Sequence, residues 1–122
     1  MKPDSTTKYL VRRRQGVTHE FLDQRSLAMH REIAGMIRHE PELLGRAKET
    51  LSRWIRQAQP HPPGAFLEWQ LIMNANSLEE ILAIIERDDE EAKRLRQSSP
   101  FCGILADERR LEILEAYEAA RS

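Results

Sequence analysis

Residues Leu95-Arg96-Gln97-Ser98-Ser99-Pro100-Phe101-Cys102-Gly103-Ile104-Leu105 form the stretch on which the reading of this chain turns. It is neither repetitive nor strongly charged. Pro100 and Gly103 break helical periodicity on either side of Phe101 and Cys102, and Ile104-Leu105 resume an apolar run. A loop with this many apolar side chains does not lie idle on a surface, because clustered apolar groups mark either a core or a contact site. Phe101 is therefore read in two ways: as a plug closing one end of a helical bundle, or as part of a partner-binding loop.

Outward from this loop, helical signals dominate. Downstream, Asp107 is the expected cap of a last helix carrying Leu111, Ile113, Leu114 and Tyr117. Upstream, Arg87-Asp88-Asp89 interrupts the pattern, and Asp88 with Glu91 suggests a capping pair ahead of Ala92 and Leu95. Ser77 with Glu80 makes a stronger capping box. The helix behind it bears Leu78, Ile81, Leu82, Ile84 and Ile85, apolar on most sides, and is expected to be the central, most buried one. A short helix over Ala65 to Ala75 presents Phe66, Trp69, Ile72 and Met73.

The clearest periodicity lies further back. Leu43, Leu44, Ala47, Leu51, Trp54, Ile55 and Ala58 form one broad stripe, with Arg46, Lys48, Glu49, Arg53 and Arg56 left for solvent. At this spacing Trp54 reads as a core anchor. Gln59-Pro60-His61-Pro62-Pro63-Gly64 stops that helix and makes a stiff connector. Between Thr18 and His39 the apolar residues recur at helix spacing, but the stripe shifts near Ser26. The expectation is one bent helix, or a short turn followed by a helix from about Ser26. Glu40-Pro41 ends it, since the residue before proline disfavours helical geometry, and Pro41 suits the first turn of the next helix.

Residues 1–16 differ from the rest. They hold Lys2, Lys8, Arg12, Arg13 and Arg14 against Asp4, a net charge of +4, and lack apolar periodicity. Tyr9, Leu10 and the run Arg12-Arg13-Arg14 are candidate partner-contacting residues on a flexible basic arm. The expected architecture is all-α: a compact bundle of about five to six short helices over residues 17–122, preceded by the arm over 1–16.

Composition agrees. At 122 residues the chain makes one domain. Aromatics at 6% and charged residues at 32% favour helix over sheet. A net charge of −1 gives no whole-domain footprint for nucleic acid. A single cysteine, Cys102, forms no internal disulfide and fits a reducing, cytoplasmic setting. No run has the length of a membrane span.

No catalytic set assembles by spacing. His19, His30, His39 and His61 are scattered, with no H-E-x-x-H, no paired C-x-x-C and no glycine-rich phosphate loop. No catalytic, metal or cofactor site is therefore assigned. Cys102 reads as a small core hydrophobe, and Asp88 to Glu91 as solvated carboxylates near a helix start. A helix-turn-helix over Glu40 to Ala58 has basic residues but lacks the usual glycine turn.

From Leu95 to Arg110 the chain reads L-R-Q-S-S-P-F-C-G-I-L-A-D-E-R-R. This resembles a group of small bacterial proteins whose C-terminal pattern is similar to L-R-Q-S-S-P-F-A-G-V-L followed by E-R-W. The segments H-R-E-I-A at His30 to Ala34, R-W-I at Arg53 to Ile55 and L-E-E-I-L at Leu78 to Leu82 extend the resemblance. Cys102 stands where alanine is usual and Arg110 where tryptophan is usual; the second change removes an aromatic. The resemblance implies an all-helical protein, the small partner of a toxin–antitoxin pair. With the basic arm and the lack of catalytic groups, it leads to a non-enzymatic protein-binding module: an antitoxin-like neutraliser of a partner protein. The alternative is a DNA-binding transcriptional regulator using the basic arm or the 41–58 helix.

Overall fold

A computed structural model describes residues 18–121. Among them the chain forms six α-helices, one short 3-10 turn and no strand. They are α1 (His19–His39), α2 (Leu43–Gln57), α3 (Gly64–Ala75), α4 (Leu78–Glu86), α5 (Glu90–Arg96), the 3-10 turn Cys102–Ile104, and α6 (Asp107–Arg121). The all-α bundle expected from periodicity is the fold observed. Tyr9, Leu10 and Arg12 to Arg14 lie outside the described residues.

Helix α1 is continuous rather than broken near Ser26. The Thr18 hydroxyl accepts the Phe21 amide at 3.0 Å, filling one of the donors a helix start leaves open. The apparent shift of the stripe has a packing cause. Near the start of α1, Phe21 meets Tyr117 of α6 edge-on, with ring centroids 6.2 Å apart. Further along, Leu27, His30, Ile33, Ala34 and Ile37 are buried together. His30 occupies a core position in that stripe, so a count of apolar residues alone sees a gap.

Helix α1 is the hub, packing against α2, α4, α5, α6 and the 3-10 turn. The expectation that α4 would be the centre therefore needs revision. Ile81, Leu82 and Ile85 of α4 are buried, but Leu78 and Ile84 are only half-buried. The core gathers Ile33, Ile37, Leu51, Trp69, Met73, Leu82, Ile85 and Phe101 from five segments. Burying each large apolar side chain contributes about 1.5–3 kcal/mol.

The helix ends follow the sequence in part. At Ser77 the hydroxyl accepts the Glu80 amide and the Glu80 carboxylate accepts the Ser77 amide, at 3.2 and 2.7 Å. The second expected cap is displaced by one residue. Asp89, not Asp88, accepts the Ala92 amide at 2.8 Å, while its other oxygen takes the Arg87 Nε–H at 2.7 Å. Arg87 is thus a second hold on Asp89 that Asp88 lacks. Asp107 is already inside α6; the carbonyl of Ala106 accepts the Arg110 amide, and Asp107 pairs with the Arg110 guanidinium. Pro41 and Glu42 form the turn leading into α2, with their carbonyls accepting from Leu44 and Gly45.

Ion pairs stitch neighbouring elements on the outside. Arg38 of α1 grips Glu86 of α4 through two bonds of 2.8 Å and also reaches Glu79. Arg94 of α5 holds Glu68 of α3, and Arg109 of α6 holds Glu32 of α1. Their partners pull the carboxyls of Glu32, Glu68 and Glu86 below the ordinary carboxylate range. Such exposed pairs fix relative orientation more than they stabilise.

Candidate functional site

Leu95 to Leu105 organises both the interior and the surface nearby. Phe101 is fully buried, edge-on to Trp69 at 5.5 Å and to His30 at 6.5 Å between ring centroids. Its side chain therefore offers nothing to a partner, which removes it from the candidate contact residues; it plugs the core. Ser99 and Pro100 before it are buried as well.

A polar chain holds the plug in place. The Phe101 amide donates to Ser99 Oγ at 3.1 Å, and Ser99 Oγ lies 2.7 Å from His30 Nε2. On the other side of the ring, His30 Nδ1 is 2.8 Å from the carbonyl of Ser26. A carbonyl only accepts, so Nδ1 carries the proton and Nε2 accepts from the Ser99 hydroxyl. With His30 neutral, both ring nitrogens, the Ser99 hydroxyl and the Phe101 amide are all satisfied. Burial drives the His30 pKa down to about 4, against a smaller upward pull from the Ser26 carbonyl, with the Arg96 charge adding to the decrease. A serine and a histidine at this distance resemble a nucleophile and its base. An imidazole this weakly basic, backed by a carbonyl rather than a carboxylate, suits a structural lock better than proton abstraction.

Arg96 is the third buried polar residue. Its Nη1 donates to the carbonyls of Arg87 and Ile85 at 2.6 and 3.2 Å, closing the end of α4. Its Nε and Nη2 are buried with no hydrogen-bond acceptor among the described residues. Burial lowers its pKa, while Asp88 and Asp23 pull the other way.

The surface beside this interior is an open groove of about 560 Å³. Trp54, Gln57 and Ala58 at the end of α2 form one wall and Phe66 at the start of α3 another; residues 96–99 and Cys102 complete it. The volume lies within the range of ordinary ligand sites. Trp54 and Phe66 are both half-buried, with ring centroids 5.3 Å apart and planes tilted by 38°. Trp54 packs against the core as its spacing suggested, but it is only partly buried, and one side of it is an open aromatic wall. Cys102, read as a core residue, is half-exposed at the groove, and burial pushes its thiol pKa up. Among the described residues no carboxylate lines the groove.

The exposed side of α2 is electrically unusual. Lys48, Arg53 and Arg56 have no partner among the described residues. By contrast, Arg38, Arg87, Arg94, Arg109 and Arg110 are each held by a carboxylate. Arg46 spends one N–H on the Gly103 carbonyl at 3.2 Å, tying α2 to the turn beside Cys102.

No family model, curated protein or solved structure matches this chain. Among the described residues no group of histidine, cysteine and carboxylate side chains could hold a metal ion, and no helix is long and apolar enough to cross a membrane. His30, Ser99 and Arg96 were not singled out from the sequence. Ser99 is 69 residues from His30, so no local spacing joins them. The one available signal was His30 itself, sitting in step with Leu27, Ile33 and Ile37.

Proposed function

We propose that this chain is a non-enzymatic protein-binding module of the bacterial cytoplasm, an antitoxin-like neutraliser that masks a partner protein. The observation that supports this reading is the open groove walled by Trp54 and Phe66. Half-exposed aromatics beside amide and hydroxyl groups are the material of binding hot spots, where a tryptophan fills an apolar pocket and polar neighbours fix orientation. The antitoxin-like role comes from the resemblance carried by Leu95 to Arg110.

The test is capture of the partner from the native host by the full chain, then calorimetry with the captured protein. Trp54→Ala should weaken affinity at least tenfold, the loss expected of a hot-spot tryptophan; because Trp54 also packs against the core, the variant's melting temperature is followed in parallel to separate lost binding from lost structure. Unaltered affinity would remove the groove from the interface. The second reading, a DNA-binding regulator, draws on the unpartnered Lys48, Arg53 and Arg56 of α2. It requires duplex binding whose dependence on log salt flattens by about 0.9 for each phosphate contact removed. Glu42 and Glu49 on the same helix, and a net charge of −5 on the chain beyond residue 16, weigh against it.

A further inference from the structure

The groove also indicates what kind of segment it would take. We infer that its ligand is an acidic protein segment: an aromatic or leucine anchor seated against Trp54 and Phe66, flanked by carboxylates that meet Arg46 and Arg53. This deepens the protein-binding reading and rests on it.

The argument starts from position along α2. Arg46, Arg53 and Gln57 are spaced by seven and four residues, which puts them on one stripe of the helix. Gln57 lies on the groove wall, and Arg46 is fastened to Gly103, the neighbour of the groove residue Cys102. The stripe runs for about 16 Å along α2, at 1.5 Å per helical residue, from the Gly103 contact at one end to the groove wall at the other. Its cations remain available. Among the described residues Arg53 has no partner, and Arg46 bonds a carbonyl and no carboxylate. Glu49 sits one turn from both and pairs with neither.

The local charge also runs against the whole. Beyond residue 16 the chain carries −5, yet the groove is lined by one arginine and no acid. Elsewhere on the surface, Arg38, Arg87, Arg94, Arg109 and Arg110 are spent on carboxylates of the same chain. A basic border left open beside an aromatic wall is complementary to carboxylates around an apolar anchor, and charge complementarity of this kind selects partners and speeds encounter. Arg46 and Arg53 are about 10 Å apart along the helix. A partner helix meets both with carboxylates on one face, two turns apart.

A random peptide library displayed against the immobilised full chain tests this without knowledge of the natural partner. Binders from the wild-type protein should carry Asp or Glu around an aromatic or leucine anchor, and should be lost on Trp54→Ala. The double variant Arg46→Glu, Arg53→Glu should bind the selected peptides roughly tenfold more weakly and, in a fresh selection, favour Lys and Arg instead. Its melting temperature, compared with wild type, separates lost binding from lost structure. Trp54-dependent binders that are uncharged or basic would overturn the acidic class while leaving the protein-docking groove standing. A selection with no Trp54-dependent binder overturns both. Retention of duplex DNA at physiological salt, abolished by the double variant, would replace the acidic segment with nucleic acid.

Discussion

Acidification should unlock the Phe101 plug through His30, and the size of the effect follows from the structure. His30 is completely buried, donates through Nδ1 to the Ser26 carbonyl and accepts the Ser99 hydroxyl at Nε2. A second proton on the ring would place a charge in a buried site beside the Arg96 charge, and would turn Nε2 into a donor that leaves the Ser99 hydroxyl proton without its acceptor. Its pKa accordingly falls from 6.5 to about 4 on folding. The unfolded chain then binds the proton more tightly than the folded one. Stability is complete above pH 6.5, declines as the pH drops, and reaches its floor below about 4. The full loss is about 3 kcal/mol, with about 2 kcal/mol gone between pH 7 and pH 5. Glu32, Glu68, Glu86 and Asp89 have lowered pKa values too, but carboxylates lose their contribution only below the usual carboxylate range. The interval from pH 6.5 to 5 therefore reports on His30. Urea midpoints across this interval should fall in the wild-type protein and stay nearly level in His30→Gln. Should the variant fail to fold, an NMR titration of the His30 ring in the wild type gives its pKa directly. A pKa near 6.5, or a wild-type midpoint that does not move between pH 7 and 5, would refute the reasoning.

Two further outcomes follow from the same segment. Phe101→Ala should destabilise the fold by about 3–5 kcal/mol, because a ring enclosed by Trp69 and His30 leaves a cavity that its neighbours cannot fill; a loss below about 1 kcal/mol in chemical denaturation would mean that the plug is dispensable. Cys102 should react with a thiol reagent more slowly in the native protein than in urea, since burial holds its pKa up and thiolate is the reactive form. Equal rates in the two states would contradict that environment.

Much of the helical plan was legible because its signals are local. The stripe from Leu43 to Ala58 and the capping box at Ser77 involve residues within a turn or two of each other, and both stand in the structure. Phe101 was legible as a choice between core and surface, and its burial decides it. The cap at Asp89 was missed by one residue because Asp88 and Asp89 are chemically alike; the Arg87 contact that distinguishes them is visible only in three dimensions. The groove was illegible for a different reason. Its walls come from the end of α2, the start of α3 and the turn after α5, and nothing in one segment announces the others. His30 was obscured by chemistry: a neutral, doubly hydrogen-bonded imidazole behaves as a core residue, whereas sequence patterning counts it as polar.

The connector Gln59 to Gly64 has a consequence for the entropy of anything that binds here. It joins the helix bearing Trp54 to the helix bearing Phe66, so it governs how far apart the two rings stand. Three of its residues, Pro60, Pro62 and Pro63, have φ confined by their rings, and such a segment samples few spacings. The rings already touch in the free protein. An incoming side chain therefore meets a wall whose ordering was completed during folding, so little further motion of that wall has to be frozen on binding. With glycines in place of the prolines the same contacts could form, but each encounter would have to draw the wall out of a broader distribution.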